Sequence, residues 1–191
     1  MRQFDSLEGL PLAYADLFHQ ASKRSVFLSI PWFRNMAATV VGKAGSVSVL
    51  SLVEDEAIHD RPLAALVLWR RKRKSGLLEP TTVEGLSNYY TAYFGPAVAT
   101  PEKDVSRVAE AFALAFRSQK ISWDVLDLRP LDPQTPVFAA LIEAFRRVGV
   151  VVQTYVALET GTLKSRADRM QSTCGAFLPS CGRTSPTCRG S

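Results

Sequence analysis

Residues 1–173 contain no cysteine; Cys174, Cys181 and Cys188 all fall near the end of the chain. Histidine is nearly absent too, with only His19 and His59, and neither lies near the cysteines. That separation excludes a four-ligand zinc set built from cysteine and histidine, so no metal is expected. No apolar run approaches the ~20 residues that span a bilayer. Residues 1–9 lack the basic start and apolar stretch of a secretory signal. These absences predict a soluble, cytoplasmic protein with no transmembrane segment.

One sign of charge is scarce in one place only. Residues 160–191 carry Lys164, Arg166, Arg169, Arg183 and Arg189 against Asp168 alone, a net +4 of the total +5. The preceding 159 residues are therefore almost neutral at +1, and nucleic acid is not an expected partner. One basic cluster remains there, Arg70, Arg71, Lys72, Arg73 and Lys74, directly after the apolar run 63–69. It could meet a phosphate or anionic lipid, but no aromatic residues interleave with it as single-strand stacking would need, and a solvated strand end accounts for it as well.

What is present is a patterned body of 47% hydrophobic composition, enough for one ordinary domain. Leu12, Ala15, Leu17, Phe18 and Ala21 predict a first helix over residues 10–23, with Pro11 in its first turn. Residues 25–29 read as a short strand or extended entry, and Pro31 starts a second helix through Trp32, Phe33, Met36 and Val40, stopped by Gly42 and Gly45. Residues 47–53 and the unbroken apolar run 63–69 read as a hairpin, the second strand covered on both faces. Residues 89–94 read as a further extended piece ending at the Gly95-Pro96 turn.

Val105, Val108, Ala109, Phe112 and Phe116 share a helical face, with Asp104 near its N-terminus. Residues 123–128 read as a buried strand. Val137, Phe138, Leu141, Ile142, Phe145 and Val148 give another helix, with Gly149 as its stop, and residues 150–158 read as a strand by β-branched content. The order is that of a mixed α/β domain.

Three phrases carry a resemblance: Ser25-Val-Phe-Leu-Ser-Ile-Pro-Trp-Phe-Arg-Asn35, Leu86-Ser-Asn-Tyr-Tyr-Thr-Ala-Tyr-Phe-Gly-Pro96 and Trp123-Asp-Val-Leu-Asp-Leu-Arg-Pro-Leu-Asp132. With the element order, residues 10–158 resemble the amino-terminal half of CelD-type N-acetyltransferases, which are tandem members of the GNAT superfamily with a FemAB-like architecture. The resemblance implies a GNAT-like (acyl-CoA N-acyltransferase) mixed sheet flanked by helices over residues 1–158. It also implies acetyl-CoA as the family's cofactor, a small-molecule or glycan-precursor acceptor, and a second GNAT-like domain as partner, where the chemistry is expected.

The pyrophosphate-binding turn of such enzymes needs a glycine pair before a helix. Here the equivalent segment is Gly95-Pro-Ala-Val-Ala-Thr-Pro-Glu-Lys-Asp104, which lacks that pair, and Pro96 and Pro101 each remove a donor. The expectation is a truncated, non-catalytic half that does not bind the cofactor; a binding or scaffold module is the alternative. Glu84, Tyr89, Tyr90 and Tyr93 are available as proton acceptors, though nothing in the sequence assigns a catalytic residue. Asn88, Tyr89 and Tyr90, with Arg129 at a strand end, are the candidate substrate-binding residues; satisfied strand tyrosines and a loop salt bridge are the structural alternatives. Alternation puts Asp124 and Asp127 on opposite faces, so they do not form an acid/base pair.

Residues 159–191 read as an irregular, disordered tail, rich in Ser, Gly, Pro and Arg. Residues 159–182 can be back-translated with permissible codons so that a frame one base earlier yields a phrase beginning Gly-Asn-Trp-Tyr-Leu-Glu, similar to the family's link into its second domain. The reading is a frameshift-derived tail, with a native flexible tail as its rival.

Overall fold

In the computed structural model the described residues are 1–41, 45–55, 60–72, 80–99, 105–118 and 122–156. The chain divides into Met1–Ala157 and Leu158–Ser191, and every described residue belongs to the first unit. The tail 159–191, His59, Asp104, Arg73, Lys74 and the Gly42 stop lie outside the described residues.

Strand β3 (Asp60–Lys72) is the spine of the fold. Its alternate side chains go to opposite cores: Ala64, Leu66 and Leu68 to one, Ala65, Val67 and Trp69 to the other. A run apolar at both parities is what a strand covered on both faces requires. Strand β2 (Ser46–Asp55) pairs with it antiparallel, and β1 (Arg2–Phe4) pairs with β2. On the other side of β3 lie β4 (Thr81–Gly85) and β5 (Ala97–Val98), both antiparallel to it. Strand β6 (Val125–Asp127) pairs parallel with β4 and ends the order β1-β2-β3-β4-β6. The result is a mixed sheet flanked by helices.

Helices α1 (Ala13–Ser22) and α2 (Ile30–Met36) cover one face through Leu17, Phe18, Ala21, Phe33 and Met36. Tyr14 Oη donates to Ser51 Oγ at 2.8 Å, which places a buried hydroxyl pair between α1 and β2. Helix α2 continues into one π-helical turn, Ala37–Val41. Helices α3 (Val105–Arg117) and α4 (Pro136–Arg147) cover the opposite face with Val108, Phe112, Phe116, Leu141 and Phe145. No helix among the described residues is long and apolar enough to cross a membrane.

Four expectations change. Residues 25–29 are not a strand: Val26–Leu28 is a 3-10 turn, because Ser25 Oγ accepts from Phe27 N at 3.3 Å and Ser29 Oγ caps α2 by accepting from Trp32 N at 3.3 Å. Residues 89–94 are turn and irregular chain, and the strand beside β3 is instead β4, which the sequence reading missed. Residues 123–128 contain only a three-residue strand at the edge of the described sheet, where Val125 is 47% exposed. Of the strand expected over 150–158, residues 157 and 158 lie outside the described residues, and 150–156 have no regular secondary structure, since no described strand pairs with them.

Helix α4 ends in a Schellman motif: Gly149 takes φ +82°, Gly149 N donates to Arg146 O at 3.0 Å and Val150 N to Phe145 O at 3.0 Å. Phe112, fully buried between α3 and the sheet, is the test of this core. Phe112→Ala is expected to cost about 3–5 kcal/mol, read as a lower denaturant midpoint at unchanged slope.

Candidate functional site

Pairing along β3 forces a loop. Leu68 opposes Gly85 while Ala64 opposes Val98, so four steps along β3 face thirteen along its neighbour and nine residues are extruded. The extruded chain lies at the C-terminal ends of the parallel pair β4 and β6, where open α/β sheets tend to bind ligands.

The loop is held at both sides. Leu86 N donates to Val67 O at 3.1 Å, keeping its start on β3. Beyond the last ladder pair, Glu84 with Asp127, the chains are joined differently: Ser87 Oγ donates to Arg129 O at 2.6 Å and Phe94 N to Pro130 O at 2.7 Å. Phe94, 1% exposed, lies over Gly85 in the α3/α4 core; a Cβ on Gly85 would stand 2.5 Å from its ring. The aromatic ring fills the place that Gly85 leaves open.

At the loop tip Asn88 organises a tight turn. Its Oδ1 accepts from Tyr90 N at 3.0 Å, its backbone N donates to Thr91 Oγ1 at 3.0 Å, and Thr91 N donates to Asn88 O at 3.0 Å. The turn carries Tyr89 and Tyr90 outward, 81% and 77% exposed, edge to face with ring centroids 5.6 Å apart. Of the candidate substrate-binding residues, Asn88 therefore shapes the turn, and Tyr89 and Tyr90 present a solvent-facing aromatic pair. Arg129 is tied to the loop through its own carbonyl, and its Nε lies 3.1 Å from Asp127 Oδ2. Tyr155 Oη donates to Asp127 Oδ1 at 3.3 Å, so Asp127 joins Arg129 to residue 155. Burial and then the Asp127 carboxylate raise the Tyr155 phenol, against a lowering by Arg129.

Other candidates fall elsewhere. Glu84 is buried, and its Oε1 accepts from Arg71 Nε at 2.9 Å and Nη2 at 2.7 Å. The Arg71 guanidinium also lies 4.7 Å from the Trp69 ring centroid. Arg71 is thus engaged inward, whereas Arg73 and Lys74 of the cluster lie outside the described residues. Asp124 Oδ2 accepts from Thr81 N at 2.7 Å and closes the start of the β4–β6 pair. Asp132 Oδ1 accepts from Gln134 N at 2.9 Å ahead of α4. Trp123 packs edge-on against Phe116 at 6.2 Å and donates from Nε1 to Phe116 O at 3.0 Å.

Sequence reasoning missed the staples Ser87 and Phe94 and the carbonyls they meet, those of Arg129 and Pro130. The lone Gly85 in a Thr-Thr-Val-Glu-Gly strand was the available signal, since an isolated strand glycine marks a close approach.

No family model and no curated protein matches the chain. Two solved structures of the BH1408 protein from Bacillus halodurans are similar to it, a tetramutant and a single-substitution mutant. They share 15% and 17% identity, with TM-scores of 0.45 and 0.41, each over 85% of this chain and 100% of theirs. Likeness at that level carries no argument about activity.

Two outcomes test the geometry. Gly85→Ala is expected to destabilise the fold by about 1–3 kcal/mol, and combining it with Phe94→Ala to cost less than the sum of the single changes, as measured by urea unfolding. Burial, then Asp132, raise the Tyr93 phenol while Arg24 lowers it. Because the folded state holds that proton more tightly than the unfolded chain, its stabilising contribution is complete below about pH 10 and fades as pH rises through the folded value. Asp132→Asn, which keeps an oxygen acceptor for Gln134 N, should lower the Tyr93 pKa in a titration followed by NMR of carbon-labelled tyrosine.

Proposed function

We propose that the chain is the acceptor-side, non-catalytic half of a CelD-type acyltransferase, with a GNAT-like fold whose partner is a second GNAT-like domain. The three phrases quoted above and the element order support the family reading. The stapled gap beyond Glu84 and Asp127 carries the non-catalytic reading.

A GNAT-like fold takes acetyl-CoA between two parallel central strands that part company. Under this reading that place would be the ends of the parallel pair β4 and β6. There Phe94 N is bonded to Pro130 O, Ser87 Oγ to Arg129 O, and the Phe94 ring occupies the space over Gly85. Groups already satisfied within the protein gain little by exchanging partners, and opening the gap would also expose a buried phenylalanine. The residues present do not fit the cofactor, and no transfer step is assigned to them. The shortage of glycine in residues 95–104 supports the same conclusion from sequence.

In this reading Tyr89, Tyr90 and Arg129 face the acceptor. Two aromatic rings held by a hydrogen-bonded turn offer contact area at low entropic cost, and the planar guanidinium of Arg129, fixed by Asp127, adds directional donors. An acceptor small enough to be shared with the second domain would bridge the two.

Titration with acetyl-CoA in a calorimeter tests the reading directly. No heat beyond dilution is expected up to roughly millimolar ligand, a level at which affinity of ~4 kcal/mol would register. Micromolar binding would overturn the non-catalytic assignment and require the Phe94 staple to open.

A further inference from the structure

The two edges of the sheet are treated differently. Strand β1 is only three residues long and turns Arg2 and Gln3 to solvent, a short polar edge of the kind that resists further pairing. At the other edge β6 is also three residues long, and the Tyr155 hydroxyl donates to Asp127 at its end. Val150 and Val152 pack on the α3/α4 core, whereas Val151 is 89%, Tyr155 61% and Val156 76% exposed. Among the described residues, no backbone group of residues 151–156 makes a backbone hydrogen bond. From Val148 to Leu158 there is no charged residue and no proline. Two of the usual protections of an open strand, an edge charge and an edge proline, are therefore missing from this stretch.

We propose that residues 150–156 pair antiparallel with the same residues of a second copy, about a twofold axis at Gln153, joining the two chains edge to edge. The sequence Val-Val-Val-Gln-Thr-Tyr-Val is self-complementary in that register. Val151 faces Tyr155 of the second copy, Val150 faces Val156, Val152 faces Thr154, and Gln153 faces its own counterpart. Aromatic with β-branched is a favourable cross-strand pair, and an uncharged segment opposes no like charges. The exposed Val151, Tyr155 and Val156 thereby gain apolar neighbours, and the free amides and carbonyls gain partners. An isologous contact of this kind closes at the dimer. A single strand pair buries less than the about 1,200 Å² of a standard interface, so a weak, reversible dimer is expected. The inference rests on this edge alone and is independent of the acyl-transfer reading, whose test is cofactor binding by either form.

Gln153 is exposed and central, so it carries the experiment. In sedimentation equilibrium the wild-type chain should show a monomer–dimer equilibrium. Gln153→Lys and Gln153→Glu should each weaken it by at least about tenfold, through like charges placed directly opposite, and an equimolar mixture of the two should restore it. Amide exchange across residues 151–156 should slow as concentration rises. A wild-type chain that stays monomeric overturns the proposal, as does a dimer unaffected by either charge. Protection that is independent of concentration would do so too, by showing that the chain covers this edge itself.

Discussion

Everything distinctive here follows from how the outer edge of β3 is filled. A thirteen-residue strand buried on both faces offers more ladder positions than any one neighbour in this chain occupies. β4 takes the positions 68–72 and β5 the positions 64 and 65, and the chain between them cannot stay in register. Its excess must leave the sheet. Because β4 also runs parallel to β6, the excess emerges at the C-terminal ends of a parallel pair. The aromatic turn, the Ser87 and Phe94 staples and the position of Arg129 are consequences of that misfit in length.

The charged groups nearby have been used in two ways. Glu84 is a buried carboxylate, and removing either partner of its pair with Arg71 would leave an uncompensated charge, so this pair belongs to the architecture. Asp127 is more accessible, and it holds Arg129 and Tyr155 in a fixed relation at the surface. Surface pairs of this sort contribute little to stability. Their effect is orientation: a guanidinium held beside a carboxylate keeps its remaining donors pointed in a defined direction. The two ladder partners Glu84 and Asp127 thus take different parts, one structural and interior, the other positioning and exterior.

Helices α1, α3 and α4 were legible because their apolar spacing is decided by one buried face. Strands β2 and β3 were legible because a short run apolar at both parities fits a strand covered on both sides and little else. Strand β4 was not, since Thr81, Thr82 and Glu84 give it little apolar content; Thr82 and Glu84 are buried through pairing with β3 and through Arg71. Residues 89–94 looked like a strand through their tyrosines, whereas the Asn88 side chain satisfies the backbone locally and selects a turn. The candidate residues Asn88, Tyr89, Tyr90 and Arg129 were found as two separate phrases. Their connection runs through Ser87 Oγ and a carbonyl at Arg129, a contact that no residue pattern announces.

Residues 150–158 show most clearly what β-propensity measures. Val150, Val151, Val152, Tyr155 and Val156 are strand formers by any scale, yet propensity describes fit to a pleated surface with neighbours, not a preference of the isolated backbone. The Schellman motif at Gly149 and Val150 sets where this chain leaves α4, and Val150 and Val152 anchor it on the core. Tyr155 then ties it to Asp127 at the end of β6, and no ladder forms among the described residues. An uncharged stretch anchored at Val150, Val152 and Tyr155 has less entropy to lose on becoming a strand than a free segment has. What it lacks is a partner for its hydrogen bonds, and a strand already aligned costs less to pair than one that must first be ordered. The segment that the sequence marks as strand and that makes no ladder among the described residues is therefore where a second copy is expected to pair.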